Sequence, residues 1–113
     1  MQREYILKES VTKDDLLKFG FVTYNHKMFT YFSYLYKKII KVRFTVEFGE
    51  SEMTWEVYDA ANQKPYNAFY SNINGMYNQV AVACFERFNE IVEKMSKAGI
   101  IEEEKEWKKS KSN

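Results

Sequence analysis

A chain of 113 residues has the length of one domain, and 45% hydrophobic with 29% charged residues sets it among globular rather than disordered proteins. The formal net charge of +1 excludes a global field that attracts nucleic acid or membrane. The single cysteine, Cys84, excludes an internal disulfide and fits a reducing compartment.

Residues 1–9 are expected to form either a short strand around Tyr5-Ile6-Leu7 or a loose arm. A short helix follows, with Thr12 as N-cap, Asp15 three residues on, and Val11 stapled onto Leu16. It stops at Gly20, the favoured left-handed position, so that Phe21 folds back on Leu16. From Phe21 the period changes to two: a strand at Phe21–Tyr24, a turn at Asn25-His26-Lys27, and a strand at Met28–Tyr36 with bulky residues on both faces.

The clearest stretch runs from Ile39 to Asp59. Ile40, Val42, Phe44, Val46 and Phe48 alternate with polar residues, and the alternation resumes at Met53, Trp55 and Val57. With Gly49-Glu50-Ser51-Glu52 as the loop, Phe48 is predicted opposite Met53, Val46 opposite Trp55 and Phe44 opposite Val57. Glu56 then faces Thr45, with Arg43 on the diagonal. Tyr66–Tyr70 is expected to be a last strand, with Pro65 confining it to an edge or to a strand start. Ser71–Gly75 leads into a long helix whose stripe is Tyr77, Val80, Ala81, Cys84, Phe85, Phe88, Ile91, Val92 and Met95. Glu90–Lys94 and Glu93–Lys97 are spaced to pair along it, and Gly99 ends it with Ile100 placed for a Schellman contact. The fold expected is α+β, a two-layer sandwich: a short N-terminal helix, an antiparallel sheet of four to five strands, and a long C-terminal helix on one sheet face. Residues 1–101 form its single domain, and residues 102–113 a charged, flexible tail.

Catalytic and metal constellations are not expected. His26 falls in a turn, Cys84 on the apolar stripe, and one His with one Cys cannot furnish a zinc site, which takes about four ligands. Glu47, Glu50, Glu52, Glu56 and Asp59 lie on the hairpin, where cross-strand pairing and solvation account for them. No cofactor and no membrane contact are predicted; the N-terminus is polar and no apolar run approaches the ~18 residues of a span.

The more informative feature is the outer sheet face. Lys41 and Arg43 point outward beside Tyr58, with Tyr31 and Phe29 offered by the neighbouring strand, and Trp107 stands alone in the polar tail. Tyr31, Lys41, Arg43, Tyr58 and Trp107 are the candidate binding residues for a protein partner. Lys37, Lys38, Lys41 and Arg43 are the candidates for an alternative, weak nucleic-acid binding.

The stretch Thr12-Lys13-Asp14-Asp15-Leu16-Leu17-Lys18-Phe19-Gly20-Phe21, followed by aromatic-rich strands, resembles small accessory proteins of phages and mobile elements in low-GC Gram-positive bacteria. The resemblance implies products that work by binding a host or phage protein, some as inhibitors; it carries over no functional residues. The element order is also similar to frataxin-like folds, with their acidic first helix reduced here to Asp14 and Asp15. The expectation is a cytoplasmic, non-enzymatic binding module, monomeric or homodimeric.

Overall fold

The structure, a computed structural model, describes residues 4–71 and 78–102. Its elements are β1 (Glu4–Ile6), α1 (Lys13–Phe19), β2 (Val22–Thr23), β3 (Met28–Tyr36), β4 (Ile40–Glu47), β5 (Glu52–Asp59), α2 (Asn67–Ser71) and α3 (Gln79–Lys97). Among the described residues the five strands form one antiparallel sheet in the order β1-β5-β4-β3-β2. The expected α+β sandwich is therefore present, with α3 on one sheet face.

Helix α1 begins as its sequence dictates. Thr12 Oγ1 accepts from the Asp15 N–H at 3.1 Å, and the Asp15 carboxylate accepts from the Thr12 N–H at 2.9 Å. That bond from the Thr12 backbone, with the Thr12 side chain and Lys18 adding to it, holds the Asp15 carboxyl below its ordinary range. At the other end Gly20 has φ +126°, and the Phe21 N–H donates to the Leu16 carbonyl at 3.0 Å. Helix α3 closes in the same way: Gly99 has φ +81°, and the N–H of the buried Ile100 donates to the Met95 carbonyl at 3.0 Å. At its start the Asn78 side chain accepts from the N–H groups of Val80 and Ala81. Glu93 pairs with Lys97 as spaced, but Glu90 pairs with Arg87 at 3.1 Å instead of Lys94.

The core is one cluster between the sheet and the helices. Tyr5, Phe29, Val42, Phe44, Val46, Met53 and Val57 supply the sheet side; Leu16, Phe69, Cys84, Phe85, Phe88, Ile91 and Met95 supply the helical side. The Phe88 ring lies 5.5 Å from Phe44, 4.9 Å from Trp55 and 5.5 Å from Phe69, so α3 ties α2 to the centre of the sheet.

Two further expectations are corrected. The β4–β5 register places Val46 opposite Met53, Phe44 opposite Trp55 and Val42 opposite Val57, two residues from the predicted pairing. A slip of two keeps every side chain on its face, so apolar alternation does not distinguish the two. The loop is Phe48–Ser51: the Phe48 N–H donates to the Lys27 carbonyl at 2.7 Å, and its ring sits 6.3 Å from Phe29. Second, Tyr66–Tyr70 is not a strand. Asn67–Ser71 is helical and buries Phe69, whose ring stacks 4.4 Å from Phe85. Tyr66, Phe69 and Tyr70 are spaced i, i+3, i+4, a helical signal in the sequence.

Candidate functional site

The ladders fix which side chains reach the outer face. Two rows run across the sheet there: Phe32, Arg43 and Glu56, then Tyr34, Lys41 and Tyr58. Phe32 and Tyr34 are each 43% exposed, because the described helices all pack on the opposite face. The Lys41 ammonium leans from β4 onto β3, lying 5.1 Å from the Phe32 ring centre and 5.3 Å from that of Tyr34. The Arg43 guanidinium lies 5.7 Å over the Tyr58 ring and pairs with Glu56 at 2.6 Å. A cationic strand is thus set between two aromatic rungs, and each cation has an aromatic neighbour that partly replaces its water.

The sequence-predicted residues divide. Lys41 and Arg43 point outward beside Tyr58, as expected, but Tyr58 is buried, with the guanidinium over its ring and Pro65 bridged alongside. Tyr31 is not on this face. It stands opposite Phe44 on the core side, its ring 5.1 Å from Phe19, 5.6 Å from Phe21 and 6.3 Å from Phe44, and Phe29 is buried beside it. Truncating Tyr31 therefore opens the core rather than a binding surface. Phe32 and Tyr34 hold the outward aromatic positions that sequence reasoning assigned to Tyr31. The missed signal was the β3–β4 hairpin register: across the short turn at 37–39, Tyr31 falls opposite the inward Phe44. Lys37 and Lys38 occupy that turn, with the Lys37 ammonium 5.3 Å from the Tyr36 ring centre. Trp107 and Tyr77 lie outside the described residues.

The two edges of the sheet differ. On β5, beyond β1, Val57 donates its N–H to the Tyr70 hydroxyl at 2.8 Å, and its carbonyl accepts from the Tyr66 N–H at 3.0 Å. The Asp59 N–H donates to the Lys64 carbonyl at 2.8 Å, so this edge is filled by the returning chain. On β3, strand β2 covers only Phe29 and Thr30.

The remainder of the surface is less specific. Glu4 and Glu52 lie close together at the far corner of the outer face, where a hydrogen bond with Glu4, then repulsion by Glu4 and Glu50, raises the Glu52 carboxyl above its ordinary range. A shallow cleft of about 350 Å³ between the β1–α1 and β4–β5 connections has Leu7, Val11 and Phe48 as its apolar wall. Lys8, Glu9 and Glu50 also line it, so its charges are of mixed sign. Cys84 is buried, and burial pushes its thiol from 9.0 up to about 11, far from an activated nucleophile. His26 takes φ +59° in the exposed β2–β3 turn, at a position where its N–H donates to Thr23 Oγ1. Among the described residues no group of three or more His, Cys, Asp and Glu is arranged to hold a metal ion, and no helix is long and apolar enough to cross a membrane.

No family model and no curated protein matches the sequence. Among solved structures, a DUF1831-family protein from Lactobacillus plantarum is similar, with a TM-score of 0.67 and 18% identity over 88% of this chain and 87% of that one. At that identity the likeness extends to the fold: this chain and the Lactobacillus protein share one architecture over nearly their whole lengths.

Proposed function

We propose that the domain is a non-enzymatic protein-binding module that works through its outer sheet face, in the cytoplasm. The observation that carries the reading is the exposed pair Phe32 and Tyr34 with the Lys41 ammonium over both rings, on a face that no described helix covers. Aromatic rings beside a cation are the composition of an interface centre, where large rigid side chains bury area with little loss of rotamer freedom. The buried, unactivated Cys84 and the exposed turn position of His26 support a role in binding over nucleophilic chemistry. The resemblance to phage and mobile-element accessory proteins supports a host or phage protein as partner.

Nucleic acid is the second reading, because bases stack on aromatic side chains beside basic ones. Glu47, Glu52 and Glu56 share the face with Lys41 and Arg43, and Glu56 already neutralises Arg43, which favours protein. The two separate by salt and nuclease. The tagged chain is used to capture partners from lysate of a low-GC Gram-positive bacterium, beside a Phe32→Ala, Tyr34→Ala variant whose unfolding midpoint is measured in parallel. A discrete protein retained after nuclease, held at moderate salt and lost with the variant at unchanged stability, is the expected result. Equal capture by the variant overturns this surface. Capture abolished by nuclease, with steep weakening in salt from counterion release, puts nucleic acid first.

A further inference from the structure

The backbone of β3 offers more than its rings. Val57 directs both its N–H and its carbonyl away from β4, towards Tyr66 and Tyr70. In an antiparallel ladder the residues facing one neighbour alternate with those facing the other. Glu56 and Tyr58 therefore bond to Arg43 and Lys41, while Val42, Phe44 and Val46 bond to Ser33, Tyr31 and Phe29. It follows that Phe32 and Tyr34 turn their own N–H and carbonyl groups away from β4. Met28 and Thr30 do the same on the filled half of this edge, where the Met28 carbonyl accepts from Thr23 Oγ1 at 2.7 Å and Thr30 stands opposite Val22. Past Thr30 strand β2 ends, and among the described residues Phe32 and Tyr34 meet no strand on that side. Among the described residues, a 3.4 Å contact from the Ser33 hydroxyl to the Tyr34 carbonyl is their one local substitute.

Charge lies along the same segment. The Lys41 ammonium is over the Phe32 and Tyr34 rings, and the Lys37 ammonium is over Tyr36. Lys37, Lys38 and Lys41 have no carboxylate partner among the described residues, in contrast to Lys27, Arg43 and Lys97. An added strand would lie about 4.8 Å from β3, close enough for its outward carboxylates to reach ammonium groups already leaning over β3.

We propose that the open edge of β3 at Phe32 and Tyr34, ahead of the irregularity between Tyr34 and Tyr36, binds an extended acidic peptide segment of a partner protein as an added strand. Its backbone pairs with Phe32 and Tyr34, and its carboxylates meet Lys37, Lys38 and Lys41. This rests on the protein-binding reading of the outer face and names the partner's chemistry. A second copy of this chain fits the edge less well, since it would bring its own Lys41 against the first.

The test uses the full chain and a displayed library of random linear peptides. Enriched sequences are expected to interleave Asp and Glu with apolar residues, and titration of the leading peptide is expected to slow amide exchange at Phe32 and Tyr34. Tyr34→Pro removes a donor that the β4 ladder does not use, so the fold tolerates it, while Tyr34→Ala removes only the ring. Binding by Tyr34→Pro is expected to be about tenfold weaker than by Tyr34→Ala, the effect of one lost ladder bond. Lys41→Glu is expected to weaken the acidic preference, which Lys37 and Lys38 share. A library without acidic bias, protection elsewhere on the chain, or equal affinity of the two Tyr34 variants overturns the added strand. Equal affinity of those variants, with loss in Phe32→Ala, Tyr34→Ala, leaves docking on the face intact. A chain already dimeric, with Phe32 and Tyr34 protected before any peptide is added, gives the edge to a second copy and equally overturns the proposal.

Discussion

Single residues set the ends of elements here, and Gly20 is the most constrained of them. Its φ of +126° is one that side-chain-bearing residues rarely adopt, and a Cβ at this position would lie 3.1 Å from the Tyr31 ring. The ring cannot retreat freely, because Phe19, Phe21 and Phe44 surround it. Gly20→Val therefore combines backbone strain with a displaced core ring and is expected to cost about 2–3 kcal/mol. Urea unfolding measures it, and a midpoint equal to the parent would remove Gly20 from this role. The need for glycine is legible in the sequence, since a capped helix followed by Gly20-Phe21 reads as a stop. That Tyr31 closes over it is not, because β3 carries bulky residues on both faces and only its pairing with β4 decides which are inside. The same pairing decides which residues face outward: the strict alternation of β4 suffices to place Lys41 and Arg43 on the outer face, whereas on β3 it is the register with β4 that turns Tyr31 inward and Phe32 and Tyr34 outward.

At the scale of elements, local chemistry and tertiary context can be told apart. The capping box of α1 is a local device, four residues long and fully visible in the sequence. Thr12→Ala removes one of its two bonds and leaves the Asp15 N–H without its side-chain acceptor, an expected loss of about 1 kcal/mol. Because Leu16 packs into the core, the loss should appear as a lower unfolding midpoint of the whole domain rather than as fraying of α1 alone. Chemical denaturation followed by far-UV dichroism distinguishes the two. The β4–β5 hairpin shows where local information ends. Alternation fixes which face is buried, but sums of pairing that differ by two are equivalent to it, and the choice is made by Phe48 packing on Phe29 across β3. Helix α2 is ambiguous from local sequence, because Pro65 and a run of aromatics suit an edge strand as well. It becomes a helix by placing Phe69 against Phe85 and the Tyr70 hydroxyl against Val57, partners supplied by other elements.

For the molecule as a whole, the two faces of the sheet have separate duties. One carries a single core that Phe88 links from Tyr5 on β1 to Phe69 on α2; the other carries Phe32, Tyr34 and the cations. A core of this kind opens as a unit, and Cys84, one turn before Phe88 on α3 and fully buried, reports that opening. Burial raises its thiol from 9.0 to about 11, so between these values the unfolded chain releases a proton that the folded chain retains. The unfolded state then binds fewer protons, and stability falls as pH rises through that window. Below pH 9 the contribution is fully present; by pH 11 it is lost, a change on the order of 2 kcal/mol. Cys84→Ala lowers stability at neutral pH by leaving a small cavity, but it lacks this alkaline component. The gap between parent and variant is therefore expected to narrow from pH 9 to pH 11. Urea unfolding of the pair at several alkaline pH values measures the gap. A constant gap would mean that the thiolate is tolerated inside, and that the space around Cys84 admits water which a close-packed core excludes.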